Sequence, residues 1–383
     1  MSTARASVIA IPEPRLERAG PDLWRVTANV AGTDVFFESR LPLSPRIEGL
    51  VCPFLMPAMS LHANLDVAGP LDATFLENLK FVRKRVREYW PDLAEGEVRA
   101  PIGPAAPAAP HAGVFYTGGI DSGYVLQQLH PKLRYAVFVE GFDIPLEDTD
   151  RLRRAGAVLG STAAACGVEF VVIRTNLRSH PLFKLVRWGR NHIGALSAMA
   201  HLLGQNVGTM YVAASDVPPP WGSAPDLDAA WSSESVKIEN FSAELSRLER
   251  VASVARWDRL RGRLRVCLAV KTRQLNCGRC EKCIRTRMQL FVTGSPDGLE
   301  SFQDGPSLRS AIGTLYDVDH EVDAQWREIA AALKDRRLLG DVERLLAGRK
   351  QPLWRRVLRQ LRWKAAGALR EAGARGPAAA TPR

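Results

Sequence analysis

Short apolar runs alternate with segments of helical periodicity over residues 112–214. The runs at 113–117, 135–139, 169–174 and 209–214 are nearly continuous, which is typical of parallel strands that are buried on both faces. The spacing of apolar residues over 122–129, 147–165 and 193–203 predicts helices between these strands. This alternation predicts an α/β fold, a doubly wound parallel sheet in which ligands bind beyond the carboxyl ends of the strands.

Other patterns flank this region and give a predicted division of the chain. Residues 1–100 are predicted to form a small β-rich module that ends in a helix, because 23–30 alternates and the turn at 31–33 indicates a hairpin. Prolines and alanines at 101–111 predict an extended linker. The predicted order is then the α/β domain at 112–300, a helical extension at 301–348, and a basic, amphipathic and partly disordered tail at 349–383.

Composition and charge add three expectations. The chain has 383 residues, 46% of them hydrophobic, and contains no apolar run long enough to span a bilayer. Its first residues lack the apolar core of a secretory signal, so a cytoplasmic protein is expected. Nine of its eleven net positive charges lie in the tail, 349–383, which has ten Lys or Arg and one acidic residue. Residues 350–383 are therefore predicted either to bind an anionic membrane or nucleic acid, or to be a solvated extension.

The segment between the first predicted strand and helix carries the strongest chemical signal. Gly118 and Gly119 are followed by Asp121 and Ser122 at the helix start. Glycines allow a turn whose N–H groups face an anion, and the unpaired amides of a helix N-terminus add partial positive charge. The pattern predicts a phosphate-binding loop, with a simple glycine turn as the alternative. Neither GxxxxGK[ST] nor GxGxxG is present.

The order Thr117-Gly118-Gly119-Ile120-Asp121-Ser122 resembles the SGGxDS loop of the PP-loop ATP pyrophosphatases, with threonine in place of the first serine. Members of this superfamily split ATP into AMP and pyrophosphate in order to adenylate a substrate. The resemblance implies that the hydroxyls of Thr117 and Ser122 and the amides of Gly118 and Gly119 bind the pyrophosphate. It also implies that Asp121 holds the loop or a Mg²⁺ shell, with Asp121 and Ser122 as the catalytic residues.

The same resemblance implies positions for the rest of ATP. Glu140, Gly141 and Phe142 follow the second predicted strand and would line the adenine and ribose.

Two further features lie near the same end of the predicted sheet. His192 and Asn191 stand just before the predicted helix at 193–203, where they are interpreted as a cap, as surface residues or as part of this site. The proline-rich loop at 216–228 is predicted to be either a substrate lid or a solvent loop.

Four cysteines form a second motif. Cys267 precedes two overlapping C-x-x-C steps made by Cys277, Cys280 and Cys283. Four thiolates with no open position suit structural Zn²⁺. An iron–sulfur cluster and four free thiols are the alternatives, and zinc is favoured because nothing nearby indicates electron transfer.

The loop and the cysteines together are similar to the cyano-deazaguanine synthases of the queuosine pathway and their relatives, over residues 112–293. These enzymes adenylate a carboxylate with ATP, combine it with ammonia and hold zinc in four cysteines. Their substrate-recognition loop carries a tyrosine-proline-aspartate-cysteine run, of which 216–228 retains only Pro225-Asp226. The deazaguanine substrate is therefore not predicted.

The expected function is an ATP-dependent adenylating enzyme of the ligase type. It would activate a carboxylate or amide oxygen of an unidentified carboxylate- or carbonyl-bearing substrate for attack by ammonia or an amine. One alternative is a PP-loop sulfur transferase acting on a nucleobase, which needs a reactive thiol near the loop and has only Cys166 outside the four-cysteine motif in this domain. The other is a non-enzymatic, zinc-containing nucleic-acid-binding protein, against which the intact loop motif argues.

Overall fold

The computed structural model describes residues 7–267, 274–295, 300–302, 305–315 and 318–348. These residues form an α/β fold with a mixed eight-stranded sheet and a parallel three-stranded sheet. The predicted tail at 349–383 lies outside the described residues. The predicted domain boundaries stay a prediction.

The eight-stranded sheet contains the predicted parallel strands at its centre. Its spatial order is β11-β10-β7-β8-β9-β4-β3-β2, and the first five strands of this order are parallel. The bounds are β2 Arg15–Gly20, β3 Leu23–Val30, β4 Thr33–Ser39, β7 Ala112–Phe115, β8 Tyr135–Glu140, β9 Glu169–Thr175, β10 Thr209–Ala213 and β11 Lys237–Phe241. Each of the four predicted parallel strands is confirmed to within two residues at either end.

The N-terminal strands belong to two sheets. The hairpin of β3 and β4 is confirmed, and its second strand pairs antiparallel with β9, with Phe37 opposite Thr175. The smaller sheet consists of β1 Ser7–Ile11, β5 Ala63–Val67 and β6 Val98–Arg99, in the order β1-β5-β6. Strands β2, β3 and β4 therefore share one continuous sheet with the α/β region.

One helix was missed within the region predicted to be β-rich. Helix α1, Glu48–Ser60, contains Pro53 and Pro57, and residues 48–59 are all buried. Proline inside a helix removes a hydrogen bond and normally ends the helix, so Pro53 and Pro57 argue against a helix at this position. Burial on every side, including extensive packing on helix α5 described below, stabilises α1 instead.

The remaining helices either cover the two faces of the large sheet or pack on one another. Their bounds are α2 Ala73–Tyr89, α3 Ile120–Leu129, α4 Thr149–Ala165, α5 Trp188–Leu202, α6 Pro225–Ala229, α7 Arg247–Val254, α8 Glu281–Val292, α9 Leu308–Ile312, α10 Asp323–Ala332 and α11 Arg336–Gly348. Apolar residues of α3, α4 and α7 form one core cluster, whereas those of α1, α2 and α5 form another on the opposite face. A third cluster joins α8 to α9, α10 and α11.

The strand order reverses beside β7. The helix that leaves β7, α3, packs on one face of the sheet, and the helix that leads into β10, α5, packs on the other. A crevice opens at such a reversal beyond the carboxyl ends of the strands, because the two connections diverge there. The glycine loop that follows β7 stands at this crevice.

Candidate functional site

The glycine loop has the backbone that its sequence predicts. Gly118 has φ +75°, a left-handed conformation that favours glycine. A Cβ atom at this position would lie 2.6 Å from Cδ2 of Leu159 and 3.2 Å from Cβ of Arg265. Gly119 is the N-cap residue of α3, and no side chain accepts a hydrogen bond there. The first amides of α3 are therefore available to an anion.

The two hydroxyl residues of the loop meet each other. Thr117 Oγ1 lies 3.2 Å from Ser122 Oγ, and the backbone N–H of Thr117 donates to Ser122 Oγ at 3.2 Å. Ser122 is 6% exposed. The loop is thus closed on itself by Ser122, with both hydroxyls on one side of the glycine turn.

Asp121 forms a buried ionic cluster with two residues that the sequence did not single out. Arg250 Nη1 donates to Asp121 Oδ1 at 2.7 Å, and Arg247 donates to Asp121 Oδ2. The arginine side chains are only 5% (Arg247) and 1% (Arg250) exposed, against 28% for Asp121. Burial opposes ionisation of Asp121, but the positive charges of Arg247, Arg250 and Lys282 outweigh it and lower the pKa of Asp121.

Helix α7 is fixed to the end of β10 by the same arginines. Arg250 Nη1 also donates to the carbonyl oxygen of Ala214 at 2.7 Å, and Asp216 accepts from the backbone N–H of Arg247 at 3.1 Å. Ser246 and Glu249 form a capping box at the start of α7, and this motif is a sequence signal for the helix. The partnership with Asp121 was not readable, because its members lie more than 120 residues apart.

An apolar cavity of about 190 Å³ lies beside the loop, under α5. It is lined by residues of β7, β8 and α5, including Phe115 and Trp188, together with Thr117, Phe142 and Asp143. The Phe142 and Trp188 rings meet edge to face with centroids 5.0 Å apart. Flat apolar walls beside a polar loop suit a ligand with an aromatic ring and a charged end.

The three residues predicted to line the adenine and ribose have different surroundings. Phe142 lines the cavity, whereas Glu140 does not, and its carboxylate pairs with Arg174 Nε at 3.1 Å. Burial raises the pKa of Glu140 despite this partner. Gly141 has φ +96°, and a Cβ atom there would lie 2.0 Å from the carbonyl oxygen of Thr175. Gly141 therefore shapes the turn after β8 as only glycine can.

Asn191 and His192 lie inside α5, which begins at Trp188, so the prediction that they precede this helix is wrong. Asn191 is buried and donates to the carbonyl oxygen of Pro53, which joins α5 to α1. His192 lines the cavity, and burial lowers the pKa of its imidazole to about 4. Asn191 thus has a packing role, and His192 belongs to the cavity wall as a neutral ring.

The proline-rich loop after β10 is docked on α5. The backbone N–H of Gly222 donates to the carbonyl oxygen of Gly189 at 3.0 Å, and the Trp221 ring lies 5.3 Å from that of His192. The loop also lines a second cavity of about 420 Å³ with Asn240 and Ala324. The loop therefore lines the second cavity and contacts His192, which lines the first.

The four predicted cysteines come together in a geometry that can bind a metal ion such as zinc. Their sulfur atoms all lie within 4.8 Å of one another, and the Cys267–Cys280 and Cys277–Cys283 pairs are both 3.9 Å apart. Tetrahedral Zn–S bonds of about 2.3 Å set neighbouring sulfurs about 3.8 Å apart. Hydrogen bonding with the other thiols, chiefly Cys267, holds the pKa of Cys277 well below its usual range. The donor set therefore fits a closed metal centre.

Asn276 supports this centre and was not predicted. Its Oδ1 accepts from the backbone N–H groups of Val266 at 2.9 Å and Cys267 at 3.3 Å. Its Nδ2 donates to the carbonyl oxygens of Leu264 at 2.6 Å and Ser301 at 3.0 Å. This buried amide holds the segment of Cys267 against the turn that carries the other three cysteines. The C-x-x-C spacing indicated the ligands but gave no signal for Asn276.

The other two of the six cysteines have no features of a reactive thiol. Cys52 and Cys166 are buried, and burial raises the pKa of both. Cys166 is at the carboxyl end of α4, just before β9 begins. It therefore lies near the amino ends of the parallel strands, whereas the glycine loop lies at their carboxyl ends.

None of the helices in the described part of the chain combines the length and the apolar composition that crossing a bilayer requires. Comparison with protein-family models, with curated proteins and with solved structures gives no match to this chain.

Proposed function

We propose that this protein is an ATP-dependent adenylating enzyme of the ligase type, which splits ATP into AMP and pyrophosphate. It would activate a carboxylate or amide oxygen for attack by ammonia or an amine. The observation that carries the proposal is the loop at 117–122, where two hydroxyls and the uncapped start of α3 meet at the strand-order reversal.

For this reaction the protein would mainly position the reactants and stabilise the negative charge of the phosphates. Oxide or hydroxide is a poor leaving group from a carboxylate, whereas AMP is a good leaving group once the carboxylate oxygen has been adenylated. The hydroxyls of Thr117 and Ser122 and the amides of Gly118 and Gly119 would bind the departing pyrophosphate. Burial and the charges of neighbouring arginines lower the pKa of Lys282, although the nearby carboxylates of Asp143 and Asp121 oppose this shift. Its ammonium group would add positive charge near the phosphates.

The surroundings of Asp121 favour one of its two expected roles. Both of its carboxylate oxygens accept from arginines, which supports a role in holding the loop over a role as a Mg²⁺ ligand. The Mg²⁺ that accompanies ATP would then be held chiefly by the phosphates themselves. Asp121 would hold α3 against α7 while the loop binds pyrophosphate.

The apolar cavity beside the loop would accommodate the base of ATP. Phe142 and Trp188 would contact the adenine ring, and Thr117 borders both the cavity and the loop. Glu140 would have no part in this arrangement, because its carboxylate pairs with Arg174. The four-cysteine centre would hold Zn²⁺ in a structural role, since a closed shell of four thiolates leaves no position for a substrate. Sulfur transfer is disfavoured by the burial of Cys52 and Cys166.

The reaction can be tested with ATP labelled at the α or γ phosphate, Mg²⁺, ammonia and a panel of carboxylic acids. The proposal expects labelled AMP and pyrophosphate, and exchange of pyrophosphate into ATP when an acid is accepted. Ser122→Ala should reduce the rate by about 10²-fold, as the loss of a preorganised contact does. Ser161→Ala removes an exposed hydroxyl on α4 and should have no effect. ADP and phosphate as the products would contradict the proposal.

A further inference from the structure

Arg265 connects the four-cysteine centre to the glycine loop. It lies two residues before Cys267, and its side chain is 4% exposed. Its backbone N–H donates to the carbonyl oxygen of Gly118 at 2.8 Å, and its Nη1 donates to that of Thr117 at 3.0 Å. The same guanidinium lies 3.4 Å from Asp143, which borders the apolar cavity. Arg265 therefore fixes both carbonyl groups of the loop's first turn.

The other end of this short segment is fixed at the metal centre. Cys267 supplies one of the four sulfurs, and Asn276 accepts hydrogen bonds from the backbone of Val266 and Cys267. The other three sulfurs come from the turn and first helical residues at 277–283. A bound metal ion would thus tie the segment of Arg265 to the start of α8.

We infer that Arg265 is a positioning residue through which the occupied four-cysteine centre holds the glycine loop in its anion-binding shape. The inference rests on the proposed function only in naming the pyrophosphate group of ATP as the anion. Loss of the metal would release Cys267 from its three partner sulfurs, while the hydrogen bonds made by Asn276 would remain. The carbonyl groups of Thr117 and Gly118 would then lose a fixed donor, and the loop would open more often.

The loop can be followed directly by hydrogen exchange of the full-length protein, with and without removal of zinc by a chelator. We expect peptides covering 112–129 to exchange at least about tenfold faster after chelation, and zinc to restore the protection. The peptide of β3, residues 23–30, serves as a distant reference and should not change. Equal exchange at 112–129 in both states would overturn the inference. A rise that includes 23–30 would also overturn it, because it would mean general unfolding.

Two substitutions separate Arg265 from its surroundings. Arg265→Met with zinc retained should reproduce the faster exchange at 112–129 and should weaken binding of inorganic pyrophosphate, measured by calorimetry, by about tenfold or more. Arg261→Met removes an equal charge from the same segment, where the side chain is exposed and pairs with Glu300, and should change neither. Equal behaviour of the two variants would overturn the role of Arg265.

The outcome for the proposed function is distinguishable from that for the inference. If the zinc-loaded protein binds neither ATP nor pyrophosphate while the exchange at 112–129 still follows the metal, the proposed function fails and the coupling stands. If the protein binds both ligands equally well with and without zinc, the coupling fails and the proposed function stands.

Discussion

Replacement of Asp121 by alanine tests whether the ionic cluster of Asp121, Arg247 and Arg250 stabilises the fold. The substitution removes the common partner of Arg247 and Arg250, whose side chains are almost completely buried. Removing one member of a buried pair typically lowers the free energy of unfolding by about 3–5 kcal/mol, because the remaining charge is left uncompensated. Asp121 is 28% exposed, and Arg250 keeps two carbonyl partners, so the lower end is expected, about 3 kcal/mol.

The assay is urea unfolding followed by circular dichroism at pH 7. This pH lies well above the ordinary pKa of an aspartate, so the stabilisation from the lowered pKa of Asp121 is fully present and is lost only in acid. The double variant Asp121→Ala with Arg247→Met should recover part of the loss, because one unpaired charge has gone. Asp150→Ala breaks an exposed pair with Arg153 and should change the free energy of unfolding by less than about 1 kcal/mol.

Two results would refute this reasoning. The first is a loss for Asp121→Ala no larger than that for Asp150→Ala, which would mean that water or other groups compensate the two arginines. The second is strict additivity of Asp121→Ala and Arg247→Met, since contacting residues of one network should couple by at least about 0.5 kcal/mol.

Three further predictions address the metal, acid stability and the turn after β8. The purified protein should contain about one zinc per chain with no visible absorption, and metal analysis should find this zinc lost in Cys280→Ser and kept in Cys166→Ala. A protein that contains iron and labile sulfide would contradict this prediction. Burial lowers the pKa of His201 to about 4, so its stabilising contribution is complete above about pH 6.5 and is lost as the pH falls towards 4; the melting temperature of His201→Gln should fall less over this window. Gly141→Ala should lower the free energy of unfolding by about 2 kcal/mol or more, as measured by urea unfolding, because the new Cβ meets a carbonyl oxygen at positive φ, whereas Gly156→Ala in α4 has open space and should be neutral or stabilising.

The features that the sequence predicts well are local ones. The strand, glycine turn and helix at 112–129 follow from short-range periodicity and from the conformational freedom of Gly118, and the four-cysteine cluster from C-x-x-C spacing. The partners of Asp121, the clamp of Asn276 and the pairing of β4 with β9 join residues that are far apart in sequence or carry no motif. Such contacts depend on tertiary packing, which a single sequence does not display. The prolines of α1 misled for the same reason, because burial outweighed local propensity.

The pairing of β4 with β9 has a practical consequence for shortening this chain. β9 carries Val171 and Ile173, both buried, and residues 37–39 of β4 pair with the outer edge of β9 at 173–175. A fragment that starts at the linker would leave the outer edge of β9 unpaired along its whole length, and a free strand edge is a template for pairing with another chain. Such a fragment should aggregate even though it retains the loop and all four metal-binding cysteines. The hairpin at 23–39 thus prevents another chain from pairing with β9.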